Sequence, residues 1–387
     1  MLELWKPDYD PDEFADALFS FYGRSNGSAD ETNFGGIDMD ALTIKWKRGG
    51  GIGRMLRGPA FEEDDIPRLQ EALGQALENS DTSVCRYMVT TFRPLEGAFG
   101  FEDWFSLLPP PPEAPRPGEQ NDGGHPAVVE VQIAATPSFS VRQRRGLQSV
   151  LEVEALFATL TKERVALLPR GTRHHWVADP EDPARSFHAR SGYQVPDFAF
   201  DVPALAKLEP YADIELVERD RYYAPGFHGS RTFAIPDTFP SLAWRYHRLD
   251  QARRERFMRG AYWAKQKNDL WHVSKAASYA AIIRAIEALM PVAAPGDPCE
   301  SCGERPGRST RKSFARFVDE MTGGLIPEKE RLRLYDRRSR LVHGGQLFRW
   351  DDNLMMSGHR ELGEMSELET VSQLVHIVFH NWLCEQD

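Results

Sequence analysis

The clearest hydrophobic pattern in the sequence lies near its C-terminal end. Five apolar residues recur there every three or four positions, the spacing of one face of an α-helix: Leu368, Val371, Val375, Val378 and Trp382. Such patterns predict five helices, at 246–268, 272–290, 309–322, 328–343 and 366–385. A loop at 291–308 separates the second helix from the third. Residues 245–387 are therefore predicted to form an all-α antiparallel helical bundle.

The first 240 residues combine helical and strand patterns. Helical spacing of apolar residues predicts helices at 11–21 and 65–78. Runs rich in β-branched and aromatic residues predict strands at 41–46, 86–92, 127–136 and 150–160. Proline, glycine and polar residues dominate 109–124, which is predicted to be an exposed loop. Residues 1–240 are thus predicted to form an α+β region, built either as one unit or as two subdomains around that loop.

The composition is that of an ordinary globular protein, but its charge is unevenly distributed. The chain has 387 residues, of which 41% are hydrophobic and 27% are charged, and its net charge is −11. This overall charge argues against indiscriminate binding of nucleic acids or anionic membranes. However, residues 1–250 carry 26 basic and 39 acidic side chains, 251–387 carry 21 and 19, and 305–340 alone carry 11 and 5. A polyanionic partner is therefore expected to bind the C-terminal part.

Membrane and secretion signals are not visible in the sequence. The first residues are acidic and lack a basic segment followed by an apolar one, so no secretory signal is expected. No apolar run approaches the length of about 18 residues that a transmembrane helix needs. Four cysteines are too few for a disulfide scaffold of this size. We therefore expect a cytoplasmic protein with no membrane partner.

One arginine in the predicted helix 328–343 occupies an unusual position. On a helical projection, Arg338 lies on the apolar face together with Leu334 and Leu341. The other arginines of this segment, Arg333, Arg337 and Arg340, fall mostly on the opposite side, where solvent can hydrate them. A buried guanidinium requires either a compensating partner or a function. His343 follows at the helix end, just before a glycine pair suited to a C-cap.

This segment resembles a known motif. Residues 338–343, RSRLVH, resemble the Arg-x4–6-His motif of HEPN domains, which are small helical bundles and in many cases ribonucleases. The surroundings resemble the ApeA-like branch found in bacterial abortive-infection and anti-phage proteins. The similar features are Tyr335 three positions before the arginine, the LVHG of 341–344 and the earlier AIEAL of 285–289. The resemblance covers about 245–387 and does not extend to the N-terminal region.

The resemblance implies RNA cleavage without a catalytic metal or other cofactor. The fork of Arg338 would stabilise charge on the phosphate, and His343 would transfer protons, because histidine exchanges protons near neutral pH. Ser339 would hydrogen-bond the phosphate. The reaction needs both a base and an acid, so two protomers of a homodimer, or of a higher even oligomer, would form a composite site. The expected products carry a 2′,3′-cyclic phosphate and a 5′-hydroxyl.

The resemblance also implies partners and a biological role. The partner would be RNA, and four basic residues are candidates for contacts with its backbone: Lys312, Arg316, Arg337 and Arg340. The protein would be a toxin-like effector in phage defence. Its N-terminal region would sense a phage-derived trigger or a ligand, or restrain the nuclease, because an unregulated cellular ribonuclease harms its host.

Two other interpretations are compatible with the same residues. Arg338 could pair with a buried carboxylate such as Glu287 and only order the bundle, which would then be a non-catalytic RNA-binding or dimerisation module. Alternatively, the main activity or ligand sensing lies in the N-terminal region. A pocket there with convergent polar groups would favour that interpretation.

A metal site is a further hypothesis. Cys299 and Cys302 form a CxxC followed by glycine, the spacing of half a zinc knuckle. The other ligands would come from the last helix, through His376, His380 and Cys384, or from the CxxC of a second protomer. The three residues of the last helix also fit a polar helix face. A zinc ion bound there would be structural rather than catalytic.

Overall fold

The computed structural model describes residues 4–6, 8–35, 40–48, 50–78, 81–110, 124–167, 174–177, 188–191, 200–224, 231–271, 273–291, 310–352 and 359–386, with the backbone alone at 174–177, 188–191, 352 and 359–362. The N-terminal elements are α1 (Pro11–Tyr22), β1 (Ser25–Ser28), β2 (Glu31–Gly35), β3 (Asp40–Trp46), β4 (Ile52–Arg57), α2 (Asp65–Leu77), β5 (Thr82–Thr91), β6 (Phe99–Phe101), β7 (Phe105–Leu108), β8 (His125–Ala134), α3 (Phe139–Leu160), β9 (Val165–Leu167), β10 (His174–Val177), β11 (His188–Ser191), β12 (Asp201–Val202), β13 (Glu215–Val217), α4 (Arg219–Tyr223) and β14 (Ala234–Pro236). The C-terminal elements are α5 (Phe239–His247), α6 (Gln251–Leu270), α7 (Lys275–Leu289), α8 (Thr310–Thr322), α9 (Glu328–Val342), α10 (Arg349–Asp352) and α11 (His359–Cys384).

Two antiparallel sheets dominate the N-terminal region. Strands β1 to β4 form a meander in which each strand pairs with the next one. Its core includes Phe34 and Ile44, which pack with Phe14 of α1 and Leu69 of α2. The second sheet has the order β12-β5-β8-β7-β6, with β9 paired to β5 as well. This α+β region followed by the helices α5 to α11 confirms the predicted fold class at that level.

The prediction of a strand at 150–160 is wrong. These residues form the second half of α3, a helix whose N-cap, Ser138, accepts a hydrogen bond from the backbone N–H of Val141 at 3.3 Å. All residues from 153 to 160 are buried, because α3 packs on β8 and on both α6 and α11. An apolar run without a polar face is equally compatible with a strand and a fully buried helix. Through α3, the second sheet shares one core with the helices, from Cys85 in β5 to Leu383 in α11.

The five predicted C-terminal helices are present as α6, α7, α8, α9 and α11, whereas the short helices α5 and α10 were not predicted. The predicted helix 246–268 begins later, at Gln251, because the carboxylate of Asp250 accepts a hydrogen bond from the N–H of Arg253 at 2.8 Å and caps α6. The predicted helix 366–385 begins earlier, at His359. Among the helices that the structure describes, none combines the length and the apolar character needed to cross a membrane. The predicted loops at 109–124 and 291–308 lie mostly outside the described residues.

Helix α7 contacts both α6 and α9, and the candidate site lies where α7 meets α9. Close packing of α6 against α7 and α11 depends on Gly260. A Cβ at Gly260 would lie 3.0 Å from the carbonyl oxygen of Ala285 and 2.7 Å from Cζ of Phe379. On its other side, α7 contacts α9, where the hydroxyl of Tyr279 donates to the carbonyl of Leu334 at 3.2 Å.

Candidate active site

The C-terminal end of α9 has the predicted glycine cap. The N–H of Gly345 donates to the carbonyl of Arg340 at 2.9 Å, and the N–H of Gly344 donates to that of Leu341 at 3.3 Å. These two bonds are those of a Schellman motif, which needs a left-handed residue, and Gly344 has φ 72°. The cap ends the helix at His343, whose side chain is exposed.

Arg338 points from α9 toward α7, as its place on the apolar face predicted. Its Nη2 donates to Oε2 of Glu287 at 3.0 Å, and the two side chains are 18% and 20% exposed. Its Cζ lies 5.7 Å from the ring centre of Tyr335. Within the described residues, its buried Nε has no hydrogen-bond partner, and no acceptor is found for Nη1. Only one of its terminal nitrogens is therefore engaged.

Tyr335 completes this half-buried cluster. Its ring packs against that of Phe314, with the centres 5.4 Å apart. Burial, and secondarily the negative charge of Glu287, raises the pKa of Tyr335. The phenol therefore stays neutral at neutral pH. A carboxylate, a guanidinium and a neutral phenol thus lie together at the α7–α9 contact, where Arg338 is about one and a half helical turns before His343.

The prediction that solvent hydrates Arg337 is wrong, because its side chain is mostly buried. It points toward α11, where Nη1 donates to Glu367 and Nη2 donates to Glu364 at 3.3 Å. Its side chain is only 12% exposed, and its Cζ lies 4.4 Å from the ring centre of Phe348. The projection of a single helix could not show this, because the partners come from another helix. With both terminal nitrogens engaged, Arg337 does not contribute to an open RNA-binding surface.

The other predicted phosphate contacts are on the surface but are not gathered in one place. Arg340 is exposed and Ser339 half-buried near the end of α9, close in sequence to Arg338. Lys312 and Arg316 are exposed on α8, where Arg316 lies 3.5 Å from Glu320. Among the described residues, no hydrogen bond or ion pair joins the two α8 side chains to the Arg338 cluster.

The structure describes only some of the proposed zinc ligands. Cys299 and Cys302 lie outside the described residues. The interpretation of His376 and His380 as part of a polar helix face is wrong, because both side chains are buried. Nδ1 of His376 lies 2.9 Å from the carbonyl oxygen of Thr159 and Nε2 lies 3.4 Å from Nζ of Lys267, so both ring nitrogens already have a polar neighbour. Within the described part of the chain, no group of three or more metal-ligating side chains is found.

A buried lysine lies beside His376 and was not predicted. Nζ of Lys267 donates to Oγ of Ser372 at 2.8 Å and lies 3.4 Å from Nε2 of His376. Burial lowers the pKa of Lys267 to about 8 and, together with the charge of Lys267, holds the pKa of His376 well below its usual range. No described carboxylate pairs with Lys267. In the sequence, the burial of Lys267 is indicated only by its position three residues after Ala264, which places both residues on the inner face of α6.

The N-terminal region offers surface grooves without an evident reactive arrangement. The larger groove has a volume of about 720 Å³ and lies where α2 meets the start of α3. Its two charged side chains are already paired, Glu78 with Lys6 and Arg142 with Asp201. A second groove, of about 370 Å³, lies beside Trp46 and Arg48. This second groove brings four charged residues together, Asp12, Asp30, Lys47 and Arg48, which is the kind of lining that ligand binding in the N-terminal region requires.

Two residues near Arg338 had little support in the sequence. The sequence indicates Glu287 only as a structural partner of Arg338, and it gives no prediction for Arg284, three residues before it on α7. The guanidinium of Arg284 lies over the ring of Trp263 at 4.6 Å. Their i, i+3 spacing on α7 was the available signal. Comparisons of the chain with protein-family models, with curated proteins and with solved structures give no match.

Proposed function

We propose that this protein is a metal-independent endoribonuclease of the HEPN type, with its active site at the C-terminal end of α9. The observation that carries the proposal is the arrangement of Arg338 and His343. Arg338 is held by Glu287 through one terminal nitrogen, and the exposed His343 follows five residues later, at the C-cap of the same helix. A phosphate can therefore bind Nη1 of Arg338 without displacing Glu287.

The proposed reaction uses each group according to its chemistry. The 2′-oxygen of the RNA attacks the neighbouring phosphorus, and the bond from phosphorus to the 5′-oxygen breaks. One histidine removes the proton of the 2′-hydroxyl, and another protonates the leaving 5′-oxygen. Arg338 stabilises the negative charge on the non-bridging oxygens, and Ser339 and Arg340 assist in binding the phosphate. The products are a 2′,3′-cyclic phosphate and a 5′-hydroxyl.

The need for two histidines makes the proposed active form a homodimer. His343 lies at an exposed helix end, so a two-fold axis nearby would bring two copies together. In this proposal the protein acts in the cytoplasm as a toxin-like effector of phage defence. A trigger bound by the N-terminal region would release the nuclease, and the shared core between α3 and the C-terminal helices offers a physical connection.

The test is RNA cleavage by the full-length protein in the presence of EDTA. Arg338→Ala and His343→Ala are each expected to lower the cleavage rate about 100-fold or more, the usual range for an acid–base group or a charge-stabilising donor. Arg333→Ala is the matched control, because Arg333 is an exposed arginine on the same helix and faces α11. Its cleavage rate is expected to equal that of the wild type. Undiminished cleavage by the first two variants would refute the proposal.

The second candidate function is a non-catalytic bundle that binds RNA or forms a dimer. The ion pair between Arg338 and Glu287 favours it, since it satisfies a half-buried charge without any substrate. In that case wild-type protein cleaves no RNA, whereas loss of the ion pair in Arg338→Ala lowers the free energy of unfolding under either function. Cleavage by the wild type, and its loss in His343→Ala, therefore distinguishes the two functions.

A further inference from the structure

A surface of arginine and aromatic side chains adjoins the Arg338 cluster. On α7, Arg284 and Glu287 are three residues apart, so their side chains lie on the same face about 5–6 Å from each other. Glu287 binds Arg338 of α9, and Arg284 lies over Trp263 of α6. One face of α7 therefore connects the candidate active site with the exposed side of α6.

Helix α6 extends this surface with evenly spaced side chains. Arg256, Arg259 and Trp263 follow an i, i+3, i+7 pattern, which places them along one face of the helix. Tyr262 contacts the ring of Trp263 edge to face, with the centres 5.2 Å apart, and is 56% exposed. Such a large exposed fraction leaves most of an aromatic face without a partner in the described chain.

The positive charge of this surface is largely uncompensated. Within the described residues, neither Arg256 nor Arg284 forms an ion pair with a carboxylate. Arg259 lies 3.9 Å from Glu255, but both side chains are about 60% exposed, so water screens this pair. The charge of Glu287 is neutralised by Arg338. The surface therefore combines available cations with an available aromatic ring.

We infer that Arg256, Arg259, Tyr262 and Arg284 form a binding surface for single-stranded RNA that leads the strand to Arg338. The inference rests on the proposed function and names its substrate class. Unpaired bases stack on aromatic rings and on the planes of guanidinium groups, whereas a duplex keeps its base faces buried. Tyr262 stacks a base, and Arg284 is held flat by Trp263 and meets the next base or phosphate. Arg256 and Arg259 contact the backbone.

The test is binding of fluorescein-labelled RNA to the full-length protein, measured by fluorescence anisotropy. The RNA is a short unstructured 2′-O-methyl oligonucleotide, whose sugar oxygens cannot attack the phosphate, so binding is measured without cleavage. Tyr262→Ala is expected to weaken binding about tenfold, in line with the loss of one base–aromatic stack. Arg284→Gln is expected to weaken binding severalfold and to reduce the slope of log affinity against log salt by about one. A duplex of the same sequence is expected to bind more weakly and to be insensitive to Tyr262→Ala.

Two matched controls are available in the same chain. Tyr211 is another exposed tyrosine, at 39%, and lies in the N-terminal region. Arg248 lies over Trp244 at 4.4 Å on α5, which repeats the arginine–tryptophan contact elsewhere. Tyr211→Ala and Arg248→Gln are expected to bind the RNA as the wild type does.

The outcomes separate this inference from the proposed function. Wild-type binding by both Tyr262→Ala and Arg284→Gln, or equal binding of the duplex, would overturn the inference. If cleavage still depends on Arg338 in that case, the nuclease proposal stands alone. If single-stranded RNA binds through Tyr262 and Arg284 while wild-type protein cleaves nothing, the binding surface stands and the nuclease proposal fails.

Discussion

The two sides of α9 hold adjacent arginines in very different ways. Toward α11, Arg337 binds both Glu364 and Glu367 and lies over Phe348. Toward α7, Arg338 binds Glu287 alone, through one nitrogen. Each guanidinium is mostly covered, but Arg337 contacts two carboxylates, one of which it shares with Arg333, whereas Arg338 contacts one.

This difference separates a structural arginine from one that can take a substrate. Two carboxylates occupy both terminal nitrogens of Arg337, so an incoming phosphate would have to displace them. Arg338 keeps donors that no described residue uses, and the exposed His343 follows five residues later on the same helix. Burial of an arginine therefore does not reveal its role, whereas the number of its partners does.

The largest expected effect on stability comes from the α11 side. Arg337→Ala leaves Glu364 without a described cation and leaves Glu367 with Arg333 alone, at 3.4 Å, and we expect a loss of about 3 kcal/mol in the free energy of unfolding. Arg338→Ala leaves one carboxylate, that of Glu287, which is 20% exposed, and should cost about 1 kcal/mol. Urea unfolding of the two variants measures both values. A loss for Arg338→Ala as large as that for Arg337→Ala would contradict the comparison.

Lys267 extends the comparison to a buried cation with no described carboxylate partner. Below about pH 8 it is charged in both the folded and the unfolded chain, so the cost of burying its charge is fully present. Between its folded pKa of about 8 and its unfolded value near 10.5, only the unfolded chain holds the proton, so stability rises with pH. We expect the stability advantage of Lys267→Met over the wild type to fall by about 2 kcal/mol from pH 7 to pH 10.

Urea unfolding of both proteins at pH 7 and at pH 10 checks this expectation. The comparison with Lys267→Met removes the contribution of the other groups that titrate in this range. A constant difference between the two pH values would mean that Lys267 keeps an ordinary pKa in the folded protein.

The smallest expected effect is at the end of α9. Gly344→Ala places a Cβ at φ 72° and should cost about 1 kcal/mol, because the left-handed conformation is unfavourable for alanine. The change frays the last turn, which carries His343, and leaves the Arg337 contacts intact. We therefore expect reduced cleavage at nearly normal stability. Unchanged cleavage would show that the position of His343 is not important for the reaction.

The sequence predicted α9 well because its signals are local. Its apolar face, its position for Arg338 and its glycine cap all depend on residues within the helix. The exposed position predicted for Arg337 was wrong because its partners are contributed by α11. Likewise, the sequence of α3 does not show which elements pack around it. Its second half is apolar on all sides because it is buried, and it was therefore predicted to be a strand. Local signals indicate where a helix begins and ends, but not what each of its sides contacts.

The candidate site was only partly predictable for the same reason. The sequence indicates the pairing of Arg338 with Glu287 as one alternative, because an arginine on an apolar helix face requires a partner such as a buried carboxylate. The place of Arg284 over Trp263 depends on how closely α6 and α7 approach at Gly260, which spacing alone does not specify. The burial of His376 similarly depends on α3 packing across α11.

The most direct test of the account is the chemistry of the RNA ends formed in the presence of EDTA. Fragments made by the wild type are analysed by mass spectrometry beside those made by Arg338→Ala, His343→Ala and the control Arg333→Ala. We predict fragments ending in a 2′,3′-cyclic phosphate and beginning with a 5′-hydroxyl, formed by the wild type and the control but not by the other two. Fragments with 3′-hydroxyl and 5′-phosphate ends, or equal amounts from all four proteins, would contradict it.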